Sequence, residues 1–256
     1  MFVVGGVALV GDPVELAAQW KVRQPIHKGA AFSDDELSIL AEFLCQHEIV
    51  PIASHVQLVE DDWSWAKRKV RALKSASRQG RRRLTPAGYL WALQVIQTAV
   101  SSAMGSLPFV VGTIDGVEIF ADEFGQQTWF RDLLTSYVPR WFERGSRFWE
   151  LLDELDRQRG GHPDLEILRE RVQTSAGTSS IQWRSRGPLH SMADGVAALY
   201  RRHLKGEAGA VAAWRRLREQ YSGGGRPPAC MGMDLTKTII GSIRSVPRVQ
   251  WPPRAE

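Results

Sequence analysis

Phe2-Val-Val-Gly-Gly-Val-Ala-Leu-Val10 is an unbroken apolar run, stopped by Asp12-Pro13. A membrane-spanning helix needs about 20 apolar residues, so this run is too short for one. It also lacks the basic flank and cleavage site of a secretory leader. A buried strand is the expectation, and the Gly5-Gly6 pair inside it fits a close backbone approach by a neighbouring element.

Working outward from this strand, the period of the apolar residues switches repeatedly between strand and helix. Pro13 to Trp20 reads as a short helix, and Ser33 can cap a helix running through Asp34, Asp35 and Glu36 to Cys45. Ile49 to Val59 is rich in Val, Ile and Leu and reads as a second strand. The acids Glu60-Asp61-Asp62 then open a helix through Trp63 to about Ser77.

Pro86 starts a helix reaching about Met104, with Leu90, Leu93, Ile96 and Val100 on one face. Val117 to Ala121 is a short strand ending at Asp122-Glu123, followed by a helical region from Gln127 that Pro139 divides. Ile181 to Trp183 reads as a strand, Gly187-Pro188 opens a helix to about Leu204, and Ala208 to Tyr221 is the next helix. Thr236 to Ile243 reads as strand-like, beyond the break Gly223-Gly-Gly-Arg-Pro-Pro228. Strands interleaved with helices predict an α/β domain over 1–222, with a Gly/Pro linker and tail over 223–256.

The composition is that of a globular chain: 256 residues, 43% hydrophobic and 24% charged. Cys45 and Cys230 stand far apart, without metal-ligand spacing, and fit a reducing, cytoplasmic setting. No membrane partner is expected. The Gly-rich stretches lack the Lys-Ser/Thr of a phosphate-binding loop.

Charge is more informative than composition. The chain carries a net charge of +5, yet Lys67 to Arg83 alone contains nine cations and no acid: Lys67, Arg68, Lys69, Arg71, Lys74, Arg78, Arg81, Arg82 and Arg83. Lys67, Arg71, Lys74 and Arg78 recur at helical spacing beside an apolar row of Trp63, Ala66, Val70 and Leu73. Such a helix docks by one face and offers the other to phosphates, which Lys and Arg neutralise without special geometry. The alternative is a solvated face paired with acids elsewhere.

Two acids draw attention for another reason. Asp122, followed by Glu123, ends an apolar strand, and carboxylates at such ends can converge on a divalent cation. Asp194 lies in His190-Ser-Met-Ala-Asp-Gly-Val-Ala-Ala-Leu-Tyr-Arg-Arg-His203, off the apolar stripe of Leu189, Met192, Ala193, Val196, Leu199 and Tyr200. Taken singly, each is better accounted for as a capping or early-helix acid. The set Trp141, Phe142, Phe148, Trp149, Leu152 and Leu155 is read as core, with a homo-oligomer contact as the alternative.

In order along the chain, several of these segments resemble domain-of-unknown-function family 3800. They are the Phe2 to Val7 strand, the loop carrying His27, the Val-Glu-Ile-Phe-Ala-Asp-Glu strand end at Asp122, and Met192 to Arg202. The resemblance implies a ribonuclease H-like mixed sheet flanked by helices, with metal-binding carboxylates on the first strand, the fourth strand and the late helix. Asp122 and Asp194 match the second and third. The family's Asp-Glu-Ser-Gly motif on the first strand occurs nowhere in the chain.

A missing first strand would split the sheet and leave an unpaired edge on Phe2 to Val10. Three explanations offer themselves: a start codon assigned too far downstream, a decayed gene, or replacement by another strand such as Thr236 to Ile243. The first is preferred. It predicts an in-frame upstream stretch encoding a strand with Asp-Glu-Ser-Gly.

The resemblance implies a metal-dependent nuclease or related phosphoryl-transfer enzyme. It would use Mg²⁺ or Mn²⁺ held by Asp122 and Asp194, with Glu123 as an auxiliary ligand and His27 as a proton carrier. The rival expectation is a non-catalytic protein binding DNA or RNA, or a scaffold, through Lys67, Arg71, Lys74, Arg78, Arg81, Arg82 and Arg83.

Overall fold

A computed structural model of the chain describes residues 1–9, 12–23, 32–76, 84–122, 128–161, 163–184, 187–222 and 228–244. The first half comprises β1 (Phe2–Ala8), α1 (Pro13–Arg23), α2 (Asp34–Gln46), β2 (Val50–Val56), α3 (Glu60–Ala76), α4 (Pro86–Gly105), α5 (Pro108–Val111) and β3 (Val117–Asp122). It continues with α6 (Thr128–Tyr137), a 3-10 turn (Val138–Phe142), α7 (Arg147–Arg159), α8 (Pro163–Arg171), β4 (Ser179–Arg184), α9 (Pro188–Leu204), α10 (Ala208–Gln220), β5 (Met231–Asp234) and α11 (Thr236–Arg244). The chain is thus α/β, mostly helical, with little sheet.

The described strands form two separate sheets. One has the order β1-β2-β5; the other is the parallel pair β3-β4. β1 runs antiparallel to β2, from Phe2 opposite Val56 to Ala8 opposite Val50. β5 is parallel to β2, with an irregularity between Ala53 and Ser54. Ala53 N–H donates to the Cys230 carbonyl at 2.9 Å, and Leu235 N–H to the His55 carbonyl at 3.0 Å.

Those bonds assign the odd residues of β2 to β5 and leave the even ones for β1, because backbone groups alternate along a strand. The outward backbone groups of β1 are therefore those of Val3, Gly5 and Val7. No described strand pairs with that edge.

α9 lies across β1 and β2, and Gly5 permits it. A Cβ on Gly5 would stand 2.4 Å from the Ala193 carbonyl oxygen and 2.4 Å from the Ala197 nitrogen, so only glycine lets the helix backbone come this close. On its other flank α9 presents Gly195 to Leu40 and Phe32. α2 is started by the expected Ser33, in a reciprocal box: Glu36 N–H donates to Ser33 Oγ at 3.3 Å and Ser33 N–H to Glu36 Oε2 at 2.7 Å.

α4 covers the opposite face of the sheet through a buried polar cluster. Thr98 Oγ1 donates to the Gln94 carbonyl at 2.6 Å, so the hydroxyl of Ser54, 2.6 Å away, donates to Thr98. Gln94 Nε2 in turn donates to Ser54 Oγ at 3.1 Å. Each buried group is satisfied, and the cluster fixes α4 on β2. Farther along α4, Ile96, Val100 and Met104 enter a second core with Ile119 and Ala121 of β3, Ile181 of β4, Phe142, Trp149 and Leu168. Phe142 and Trp149 are thus core residues, with Trp141, Phe148 and Leu152 packed at their margin.

The stretch expected as tail contributes to the fold. Met231–Asp234 is β5, and Thr236–Arg244, read from sequence as strand-like, is helix α11. Leu235, Ile239 and Ile243 bury one face at four-residue spacing, and Asp234 Oδ1 caps the helix by accepting from Thr236 N–H at 2.9 Å. Burial and the cap outweigh the strand preference of the Thr and Ile residues. Thr236–Ile243 therefore replaces no strand, and β5 sits on the far side of β2 from the open edge of β1.

Candidate nucleic-acid interface

α3 follows β2 directly and is polarised along its axis. Glu60, Asp61 and Asp62 occupy its first turn, where the helix dipole favours acids, and every charged residue from Lys67 to Lys74 is basic. Asp62, Ala66, Val70 and Leu73 form the buried stripe, at i, i+4, i+8 and i+11. Two bonds hold the Asp62 carboxylate: Val59 N–H donates to one oxygen at 3.2 Å, and Arg244 Nη2 lies 2.9 Å from the other. α11 and α4 pack on this side.

The opposite face is basic and open. Lys67, Arg68 and Arg71 are exposed and Lys74 is half-buried. None of Lys67, Arg71 and Lys74 makes an ion pair with a described acid. The Arg68 guanidinium lies 4.3 Å from the centre of the Trp65 ring. Lys69, beside the buried stripe, is half-buried, and desolvation pulls its ammonium below the ordinary lysine pKa. Of the solvated-and-paired alternative, the described residues show the solvation, and no described acid pairs with Lys67, Arg71 or Lys74. Arg78, Arg81, Arg82 and Arg83 lie outside the described residues.

Asp122 and Asp194 stand on different packing units. Asp122 ends β3 on its exposed face, in register with Arg184 of β4. That face also carries Glu118, which accepts a hydrogen bond from Gln182, and Phe120, whose ring centre is 4.4 Å from the Arg184 guanidinium carbon. Asp194 is half-buried on α9, next to the Ala193 that meets Gly5. α9 packs chiefly on β1, β2, α1, α2 and α10, whereas β3 packs chiefly on β4 and α4.

Among the described residues, no group of three or more His, Cys, Asp or Glu side chains could hold a metal ion. Asp122 and Asp194 therefore do not form a metal centre from described residues alone. Glu123 and His27 lie outside the described residues. Two clefts, one lined by Asp34, Leu37 and Ser38 with Leu199, the other by Arg23, Phe43 and His47, include neither acid.

Sequence reasoning missed one polar cluster. His55 Nδ1 of β2 lies 3.0 Å from the Tyr200 hydroxyl of α9, and its Nε2 lies 3.9 Å from Asp234 of β5. Hydrogen bonds from the Thr236 hydroxyl and backbone hold the Asp234 carboxyl below its usual range, with His55 adding to them. Burial first, and the Asp234 charge second, push the Tyr200 hydroxyl up to about 12. The three groups clasp β5 and α9 onto β2. The available signal was a histidine inside an otherwise apolar strand.

The thiols offer no reactive centre: both are free, and burial pushes Cys45 up and Cys230 up to about 12. No helix among the described residues is long and apolar enough to cross a membrane. No family model, curated protein or solved structure matches the chain.

Proposed function

We propose that this chain binds nucleic acid through the solvent face of α3 and does so without cleaving it. The observation that carries this reading is the row Lys67, Arg71 and Lys74, without acid partners among the described residues, on a helix docked by its opposite stripe. Unpaired cations keep their full electrostatic value for phosphates, and neutralising phosphates releases condensed counterions, which drives binding. The docked stripe fixes the helix backbone, so binding has only the cation side chains to order.

The nuclease reading asks Asp122 and Asp194 to share one or two Mg²⁺ or Mn²⁺ ions. Their placement on separate packing units favours binding over cleavage. A ribonuclease H-type ancestry would account for the division of the strands into β1-β2-β5 and β3-β4, with no described strand pairing across the two sheets.

The test is fluorescence anisotropy of labelled DNA and RNA with the parent chain and with Lys67→Gln/Arg71→Gln/Lys74→Gln. Binding should be salt-sensitive and fall on the order of 100-fold at low salt in the triple variant. Undiminished binding by that variant would overturn the proposal. Mg²⁺- or Mn²⁺-dependent cleavage, lost in EDTA and in Asp122→Asn and Asp194→Asn, would restore the enzyme reading.

A further inference from the structure

Resting on the α3 interface, we infer that its ligand is single-stranded and that Trp65 stacks on one of its bases. Trp65 has 37% of its surface exposed, and every other tryptophan whose burial is described is buried or half-buried. Nothing in the buried stripe of α3 requires an indole at this position, since Asp62, Ala66, Val70 and Leu73 already fill it. Arg68 lies over the ring, and the part of the indole that reaches solvent beside these cations is a surface on which a base can stack.

The placement of the ring relative to the charges supports the same reading. Trp65, Arg68, Arg71 and Lys74 recur every third residue, a ridge that rises about 14 Å and winds about half a turn round the open side of the helix. Arg68, 4.3 Å from the ring centre, steadies the indole against its own flexibility and remains free of described acids. A single strand laid along this ridge would put a base on the indole and its phosphates on the three cations. A duplex keeps its bases stacked on one another and gives the indole no open base to meet, so the ring discriminates between strandedness states and not between sequences. A protein partner could also use Trp and Arg, but a ridge of cations without acids suits phosphates better.

The experiment measures affinity for a labelled oligothymidylate, for a duplex of the same length and for inorganic polyphosphate, which has the charge without the bases. The parent chain is compared with Trp65→Ala, Trp65→Phe and the Lys67/Arg71/Lys74 glutamine variant, each checked for an unchanged melting curve. The parent should prefer the single strand. Trp65→Ala should lose about tenfold on it while keeping its duplex and polyphosphate affinities, and Trp65→Phe should recover most of the loss.

Equal loss on all three probes, or no loss, in Trp65→Ala would overturn the stacking role. If the glutamine variant still lost binding in that case, the α3 interface would stand without it. Failure of the parent to bind any of the three probes would sink both. Capture of an acidic protein segment in place of every nucleic acid would also count against the inference.

Discussion

α9 and α3 are both arginine-bearing helices of 17 residues, but their surfaces are used in opposite ways. α9 is consumed by the fold. Its backbone meets Gly5, its Gly195 meets Leu40 and Phe32, its Tyr200 holds His55, and its Arg202 is bound by Asp34 and Glu207. α3 spends one stripe on packing and leaves Lys67, Arg71 and Lys74 without described acid partners. The lesson is that counting cations in a sequence says little until their partners are known, because a paired guanidinium has already given its charge to the fold.

The contrast breaks most visibly at Gly5. Gly5→Ala pushes a Cβ onto α9 backbone atoms that cannot rotate away, so stability should fall by about 3 kcal/mol, read as a large drop in melting temperature. Gly241 of α11, with nothing within 4 Å of an added Cβ, is the control that should tolerate alanine. On α3 the sign of the result reverses. Lys67→Gln/Arg71→Gln/Lys74→Gln should leave denaturant unfolding within about 0.5 kcal/mol of the parent while removing most nucleic-acid affinity.

A smaller effect is expected where α3 uses the charge of Asp62 for packing. Arg244→Met leaves the buried Asp62 carboxylate with only the Val59 N–H, and should cost about 1–3 kcal/mol in chemical denaturation without changing binding. Arg202→Gln removes pairs that are partly solvated, so about 1 kcal/mol or less is expected.

Acid sharpens the comparison further. His203 of α9 packs beside the Tyr200 and Trp214 rings, and desolvation, followed by the Arg218 charge, lowers its pKa. A histidine lowered in the folded state binds fewer protons there than when unfolded. Stability should therefore decline as pH falls below the ordinary histidine value of about 6.5, and His203→Phe should flatten that decline in melting curves between neutral and mildly acidic pH.

Much of the element order was legible because the signals were local: Ser33 with Glu36, Pro86, Pro139 and Gly187-Pro188 each mark a boundary where the structure has one. β5 and α8 went unread. β5 is a four-residue Met-Gly-Met-Asp strand with no periodicity to detect, and its pairing is set by the neighbouring β2. α11 was misread because Thr and Ile favour strands, whereas its Leu235, Ile239 and Ile243 spacing acquires meaning only against α3 and α4. For the interface, sequence located the cations but could not show that Lys67, Arg71 and Lys74 lack described acid partners. Nor could it show which of the tryptophans with described burial is the most exposed.

The central claim, that the free face of α3 holds phosphates, is tested most directly by the salt dependence of oligothymidylate binding in the parent and in the Lys67/Arg71/Lys74 glutamine variant. The account predicts a linear fall of log affinity with log salt, and a slope shallower by about 1.4 in the variant, from the two ridge contacts of Arg71 and Lys74 lost at about 0.7 each. Identical slopes and affinities in the two proteins would contradict it.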